Sequence, residues 1–510
     1  MTKKMYITTA IDYVNSDPHL GTSYEKIGAD VLARFARIMG YETFFLMGAD
    51  EHSLNVEKQA KSMNVSPQEY CDRMCEKFKH VWHRLNISFD DFIRTTEQRH
   101  INTVTDLFNR IHENGHIYSG EYKGWYCVSC EAFMKDKDLV DGSCPVHKKK
   151  PEWVVEKNYF LALSKFEDKL LHHIEKNKDF IRPEIRKNEM VNVIKGGLED
   201  ISVTRSSVGW GIPLPFDKTH VLYVWFDALI NYLSGAGYSD NEKRFKRFWP
   251  ADVHVIGKDI TRFHCIIWPA MLMAAGIELP KSVFGHGFVY VEGGKMSKSE
   301  GRIVDPIEIC DKYGADPLRY YLMREIPFDR DGDFTLESFE NRYNADLAND
   351  LGNLVSRALS MVSKYRGGVI PVIKGVNKKD AELSGKVGEL RDEIGGLVER
   401  LELSKILIKL WEFIQLANRY VEVNAPWALA KSKDDKRLDE VLYNLCEVIR
   451  LTSLYVFPFM PDKGREIAEQ LGVEFDVENL DFRKAVKWGD LKGGNKIGKL
   501  SPLFPRLEKK

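Results

Sequence analysis

The first fifty residues constrain this chain more than any other stretch. Residues 5–11 read as a buried strand, residues 24–39 as a helix with Ile27, Val31, Leu32, Phe35 and Ile38 on one side, and residues 43–47 as a second strand. Strand, helix and strand in this order make a βαβ unit, the building block of a parallel sheet. In such a unit the helix N-terminus offers unpaired N–H groups and the positive end of its dipole. A phosphate therefore fits over His19, Leu20, Gly21 and Thr22, where Gly21 permits close approach of an adenine and His19 adds a donor. Read alone, His19 is better taken as a surface histidine beside Pro18, and a companion motif is what favours the donor reading.

Two further stretches bear on what such a sheet could hold. GADEHS, residues 48–53, falls at the C-terminal end of the second strand, where ligands gather in open α/β sheets, and a carboxylate there can grip an ammonium. VEGGKMSKSEG, residues 291–301, follows the apparent strand SVFGHGFVY. Lys295 and Lys298 can bring cationic donors to phosphate oxygens, Ser297 and Ser299 add hydroxyls, and the flanking glycines let the backbone move. By itself the segment also reads as a solvated Lys/Ser loop.

From about residue 115 the texture changes to short aromatic and charged segments containing CVSC at 127–130 and CPVH at 144–147. Cys127, Cys130, Cys144 and His147 have the composition and close pairing of a tetrahedral zinc knuckle, a closed structural site with no position open for substrate. The alternative is three unrelated reduced cysteines. The chain holds eight cysteines in 510 residues, too sparse for a disulfide framework, which points to a reducing compartment. No apolar core of signal-peptide length opens the sequence, so a cytoplasmic location is expected. The most apolar run, residues 265–277, is too short to span a bilayer and reads as a buried helix, so no membrane partner is expected. A net charge of −1 means that any nucleic-acid contact must rest on local patches.

HLGT at 19–22 and the KMSKS string at 295–299 together resemble the paired signatures of class I aminoacyl-tRNA synthetases. YITTAIDYVN, GADEH, YVWFDALINY, VIGKDI and ADLANDLGNLVSR narrow the resemblance to the methionyl-tRNA synthetase family. The fold it implies is a split Rossmann-type parallel α/β sheet with a zinc-knuckle insertion, followed by an α-helical bundle that binds the anticodon. The expected divisions are a first catalytic half at 1–114, the insertion at 115–219, a second catalytic half at 220–325, a linking segment at 326–350 and the helical domain at 351–510. The implied reaction is ATP-dependent formation of methionyl-adenylate and transfer of methionine to tRNA(Met) by a monomer, with Mg2+ escorting ATP and one structural zinc per chain.

By the same resemblance His19, Thr22, Lys295 and Lys298 are catalytic, and His19, Gly21, Gly257, Asp259 and Lys298 contact ATP. Asp50 holds the amino group of methionine, Ile11 and Tyr13 line the side-chain pocket, and Arg205 organises the carboxylate side. Trp225, Ala228, Leu229, Tyr232 and His264 complete the pocket, with the Tyr232 hydroxyl offered to the thioether sulfur. Asn353, Arg357 and Trp427 read the anticodon. On spacing alone, residues 220–234 are also an ordinary core helix entry, and Asn353 with Arg357 an ordinary polar face. The sequence departs from the family pattern at Thr22, where a histidine is usual, and at Ser53, where glycine is usual. The Thr22–Glu25 spacing matches a capping box with Thr22 as the cap. These departures leave open a tRNA-binding paralogue without catalysis. A relative charging leucine, isoleucine or valine is disfavoured by the pocket string and the short insertion.

Overall fold

The structure is a computed structural model that describes residues 3–127, 132–134, 136, 139–145, 148–206, 209–295, 304–375, 377, 380–476 and 480–508. Its organising sheet consists of β1 (Lys4–Thr9), β2 (Asp12–Tyr13), β3 (Glu42–Asp50), β4 (Asp91–Arg94), β5 (Ile181–Arg182), β6 (Val253–Gly257) and β7 (Val283–His286). The strands run in the order β2-β3-β1-β6-β7-β5, with β4 also paired to β3, and every pairing is parallel. Ile7 sits between Phe45 on one neighbour and Val253 on the other, which places the centre of the buried apolar layer. The order reverses between β1 and β6, so the crevice beyond their C-terminal ends is the natural ligand position.

The helix α1 (Leu20–Ile38) begins four residues earlier than the apolar pattern predicts. His19 caps it, so Leu20, Gly21 and Thr22 already belong to the first turn. The predicted strand at 5–11 stops at Thr9, because Ala10 and Ile11 leave the ladder before β2 joins the end of β3. The predicted strand at 43–47 extends instead over Glu42–Asp50, long enough to carry Gly48, Ala49 and Asp50 to the ligand edge. Residues 265–275 are buried except for the half-buried Met273, as their apolar run requires, in a π turn at Phe263–Ile267 followed by the helix Trp268–Ala275.

The insertion is built on an antiparallel pair, Ile117–Cys127 with Glu152–Leu161, flanked by Ala132–Met134 and Ile201–Ser202. Within the same segment β5 returns to the edge of the main sheet, so the insertion also supplies a strand of the central layer. Beyond the second sheet half, the chain is helical from Leu336, and Leu347, Leu351, Leu354, Val355, Leu359 and Val362 are all buried, as the stripe predicts. The first two lie in a π-wound stretch, Tyr343–Gly352, that runs into the helix Asn353–Arg366. The long helices Leu403–Asn424 and Asp435–Val456 complete the bundle core.

One fully buried arginine joins the two parts. Arg319 donates to Asp30 on α1 at 2.6 Å, to Leu85 O at 3.0 Å, and to Phe459 O and Pro458 O of the bundle at 2.8 and 3.0 Å. Burial alone would raise the Asp30 carboxyl, but Arg34, Arg319 and Ser88 hold it well below the usual carboxylate range. None of the described helices is long and apolar enough to cross a membrane.

Candidate active site

A cavity of about 410 Å³ opens at the switch point between β1 and β6. Ala10, Ile11, Asp12 and Tyr13 line it from the β1 side, His19, Gly21, Thr22, Glu25 and Lys26 from α1, Gly257, Asp259 and Ile260 from β6, and His286 to Val289 from β7. The structure therefore brings Ile11 and Tyr13, expected for methionine, into one space with His19, Gly21, Gly257 and Asp259, expected for ATP. At Gly257 a Cβ would stand 2.6 Å from the Asp259 carboxylate, so a larger residue there would displace that carboxylate from its position over the strand end.

His19 and Thr22 form a reciprocal cap. His19 Nδ1 accepts from the N–H groups of Gly21 and Thr22 at 3.1 and 3.4 Å, which makes Nε2 the proton-bearing nitrogen of the ring. The Thr22 hydroxyl accepts from the His19 N–H at 3.1 Å and donates to the His19 carbonyl at 2.8 Å. The Thr22 hydroxyl thus meets a backbone N–H, as expected, but Thr22 is the third helical residue and His19 the cap. Glu25 does not reach back to Thr22: its two oxygens go to Lys26 and His286, because both of those cations or donors are buried beside it. Ser53 is accommodated just as simply, since its side chain caps the helix α2 (Leu54–Ser62) by accepting from the Val56 N–H at 3.1 Å. Its backbone is extended, so the position does not require glycine.

On the amino-acid side, β2 pairs Tyr13 directly with Asp50, which is 7% exposed at the end of β3. The neighbouring carboxylate, Glu51, is engaged by Arg94 Nε at 2.7 Å, by Thr96 and by the Cys75 thiol. At Gly48 a Cβ would meet Ile93 O at 2.2 Å and Ile11 at 2.8 Å, so this glycine lets Ile11 pack down onto β3. Trp225 stacks on Phe263 with centroids 3.8 Å apart, and Ala228, Leu229 and Tyr232 are buried. These four residues lie on two short helices, Val224–Leu229 and Asn231–Ala236, rather than one.

Burial pushes His264 down to about 4, so its imidazole is neutral. Its Nδ1–H donates to the Ile260 carbonyl at 3.1 Å, and its Nε2 accepts the Tyr232 hydroxyl proton at 2.7 Å. The Tyr232 proton is thus directed to His264, in a buried pair that lies outside the residues lining the cavity. Arg205 pairs with Glu156 at 3.0 Å and lies over the Tyr126 ring at 4.0 Å, in the wall of the insertion outside the residues that line the cavity.

Of the lysine segment, Gly294–Lys295 pairs with Val289–Val291, and the Val304 carbonyl accepts from the Leu20 N–H of α1 at 3.3 Å. Lys298, with Ser297 and Ser299, lies outside the described residues. Cys130 and His147 also lie outside them, while Cys127 and Cys144 are buried at 2% and 1% exposure. Among the described residues no group of three metal-ligating side chains converges. In the bundle, Asn353 is exposed, the Arg357 guanidinium lies 5.8 Å from the Trp427 ring centre and pairs with Glu422 at 2.7 Å, and Trp427 is 43% exposed.

Sequence reading missed two buried charge clusters. Asp227 is held between His52 Nδ1 at 2.7 Å and His100 Nε2 at 2.6 Å. Lys26 lies between Asp12 at 3.0 Å and Glu25 at 2.7 Å. The one signal for the second was a charged Glu25-Lys26 pair within the mostly apolar stretch of α1.

The family model for class I tRNA synthetases (M) matches residues 5–153 and 137–359. The methionine–tRNA ligase of Caldanaerobacter subterraneus is 47% identical over 510 residues, covering all of this chain and 80% of its own length. That of Thermotoga maritima is 45% identical over 511 residues, covering 99% of this chain and 81% of its own length. Mycobacterium tuberculosis methionyl-tRNA synthetase, solved in complex with methionyl-adenylate, superposes with a TM-score of 0.95 at 42% identity, covering 99% of this chain and 100% of that one.

Proposed function

We infer the function of this chain from one premise: it belongs to the methionyl-tRNA synthetase family of class I aminoacyl-tRNA synthetases. The activity is that of a methionine–tRNA ligase, in which ATP and methionine give methionyl-adenylate and pyrophosphate before the methionyl group passes to tRNA. The observation that supports the mechanism is a cavity at the sheet's switch point lined by Ile11 and Tyr13 together with His19, Gly21, Gly257 and Asp259, while Asp50, Trp225, Ala228, Leu229, Tyr232 and His264 lie outside its lining.

In the first step a methionine carboxylate oxygen bonds to the α-phosphorus as the bond to the bridging oxygen of pyrophosphate breaks, so no side-chain nucleophile is required. Catalysis is then positioning and charge stabilisation. In our reading Asp50 grips the ammonium beside Tyr13, while Ile11, Trp225, Ala228, Leu229, Tyr232 and His264 enclose the thioether, which gains from aromatic contact. Gly257 and Asp259 receive the nucleoside. His19 Nε2–H and the positive end of the α1 dipole face the phosphates, where Gly21 permits close approach although its N–H is held by His19 Nδ1, joined by Lys295 and Lys298, and Mg2+ accompanies ATP. Thr22 acts through His19, whose ring it fixes by the reciprocal cap. Arg205 steadies the insertion wall through Glu156 on the carboxylate side.

Cys127, Cys130, Cys144 and His147 are proposed to hold a structural zinc. The two described members fit, both being buried cysteines, and at Cys144 the N–H donates to Lys149 O while the carbonyl accepts the Lys148 N–H. A closed site of this kind would shape the insertion and take no part in the reaction. Arg357, Asn353 and Trp427 are proposed to read the anticodon of tRNA(Met), by stacking and edge contacts. A monomer in the cytoplasm is the working state of this proposal. Methionine-dependent exchange of pyrophosphate into ATP, run with each amino acid in turn, tests the reading. Exchange with methionine alone is expected, and its absence from a folded sample would overturn it.

A further inference from the structure

Lys26 is a lysine in the second turn of α1, 2% exposed, whose ammonium lines the active-site cavity. An ammonium has three protons to donate. All three have oxygen acceptors: Ala10 O at 2.7 Å, Glu25 Oε1 at 2.7 Å and Asp12 Oδ1 at 3.0 Å. The group is therefore committed to the protein and does not touch a phosphate. Ala10 and Asp12 belong to the segment that carries Ile11 and Tyr13, and Glu25 belongs to the helix that presents His19, Gly21 and Thr22. The second oxygen of Glu25 faces His286 Nε2 at 3.0 Å, and His286 Nδ1 donates to Gly287 O at 2.7 Å, which reaches the β7 wall.

We propose that Lys26 is a positioning residue for adenylate formation, the centre of an Asp12–Lys26–Glu25–His286 chain that fixes the methionine-bearing segment and the phosphate-bearing helix against each other. This rests on the adenylation reading above. Three walls of one cavity are tied by a continuous chain of charged hydrogen bonds, each link short and shielded from water, where such bonds are strong. The polar groups that face the chain are Lys26 and Glu25 from α1, Asp12 from β2, His286 from β7, and the indole of Trp82 beside Asp12. Burial raises the Asp12 carboxyl to about 6 against the pull of Lys26, so the chain is complete above that pH and opens at its Asp12 end below it.

The test uses the full chain in methionine-dependent pyrophosphate exchange, with two variants. Asp12→Asn keeps shape and the Lys26–Glu25 link but removes the charge that holds β2. Lys26→Met keeps most of the volume and removes the centre. A misplacement of about 1 Å at the reacting atoms costs on the order of 100-fold, so kcat is expected to fall about 10-fold in Asp12→Asn and more in Lys26→Met, with smaller changes in KM for methionine and ATP. In the parent kcat is expected to fall as pH drops through about 6, and that fall should be missing from Asp12→Asn. If Lys26→Met does not fold, Asp12→Asn decides alone. Parental kcat and an unchanged pH profile in folded Asp12→Asn overturn the proposal, as does a lowered unfolding midpoint with kcat intact. A parent without methionine-dependent exchange would instead overturn the function itself.

Discussion

Replacing Asp227 with asparagine should cost both stability and methionine affinity. Asp227 is 0% exposed, on the short helix that also carries Trp225, Ala228 and Leu229. Its Oδ2 meets His52 at the end of the β3 loop, and its Oδ1 meets His100 on the helix Gln98–Glu113, whose Nδ1 reaches Ser234 Oγ at 3.0 Å. Burial by itself would raise this carboxyl, yet the two imidazoles bring it down to about 2 from an ordinary 3.8. A depression of nearly two units corresponds to about 2–3 kcal/mol of folding stability. The sign follows from proton binding: the unfolded carboxyl takes up its proton first as pH falls, so this contribution is complete above about pH 4 and is lost between about 4 and 2. Asparagine retains the shape but not the charge, so at pH 7 the variant should lose about 2–3 kcal/mol in urea unfolding. Because the same helix carries Trp225, Ala228 and Leu229, which are proposed to enclose methionine, KM for methionine in pyrophosphate exchange should rise about tenfold, or about 1.4 kcal/mol, while KM for ATP changes less. Equal stability at pH 7 together with an unchanged KM for methionine would show that the two histidines do not hold this helix in place.

Three other outcomes are expected. Lys298→Ala should cripple adenylate formation while methionine binding persists, because the lysine acts on charge that grows in the transition state; a raised KM for ATP at unchanged turnover contradicts that role. Elemental analysis of protein purified without added metal should find one zinc per chain, and Cys144→Ser should release it; a metal-free sample with an intact insertion removes the zinc from this account. Trp427→Ala should weaken charging of tRNA(Met) by about 1–3 kcal/mol, the value of one stacked base, with pyrophosphate exchange untouched; equal damage to both reactions would point to a folding defect.

Much of the fold was legible because its signals are local. The βαβ unit declares itself through apolar runs of strand and helix length, and the bundle through a stripe from Leu347 to Val362 that is buried throughout. The start of α1 was misplaced because its first turn is polar: His19 caps through its ring, a role that hydrophobic periodicity does not register. Thr22 was paired with Glu25 by spacing, whereas Glu25 is drawn to Lys26 and to His286, 261 residues away.

The sequence by itself determined the class of sheet, the segments that could meet a nucleotide, and through short motifs the family and the reaction. Tertiary structure alone decided which charges meet. Asp12 with Lys26, Glu25 with His286, and Asp227 with His52 and His100 are pairs whose partners lie on separate elements or across a loop, and for most of them more than a hundred residues intervene. An ion pair between distant segments leaves no periodicity in either one. Its energy depends on burial and on a few tenths of an ångström, and both quantities exist only once the sheet has brought its strand ends together.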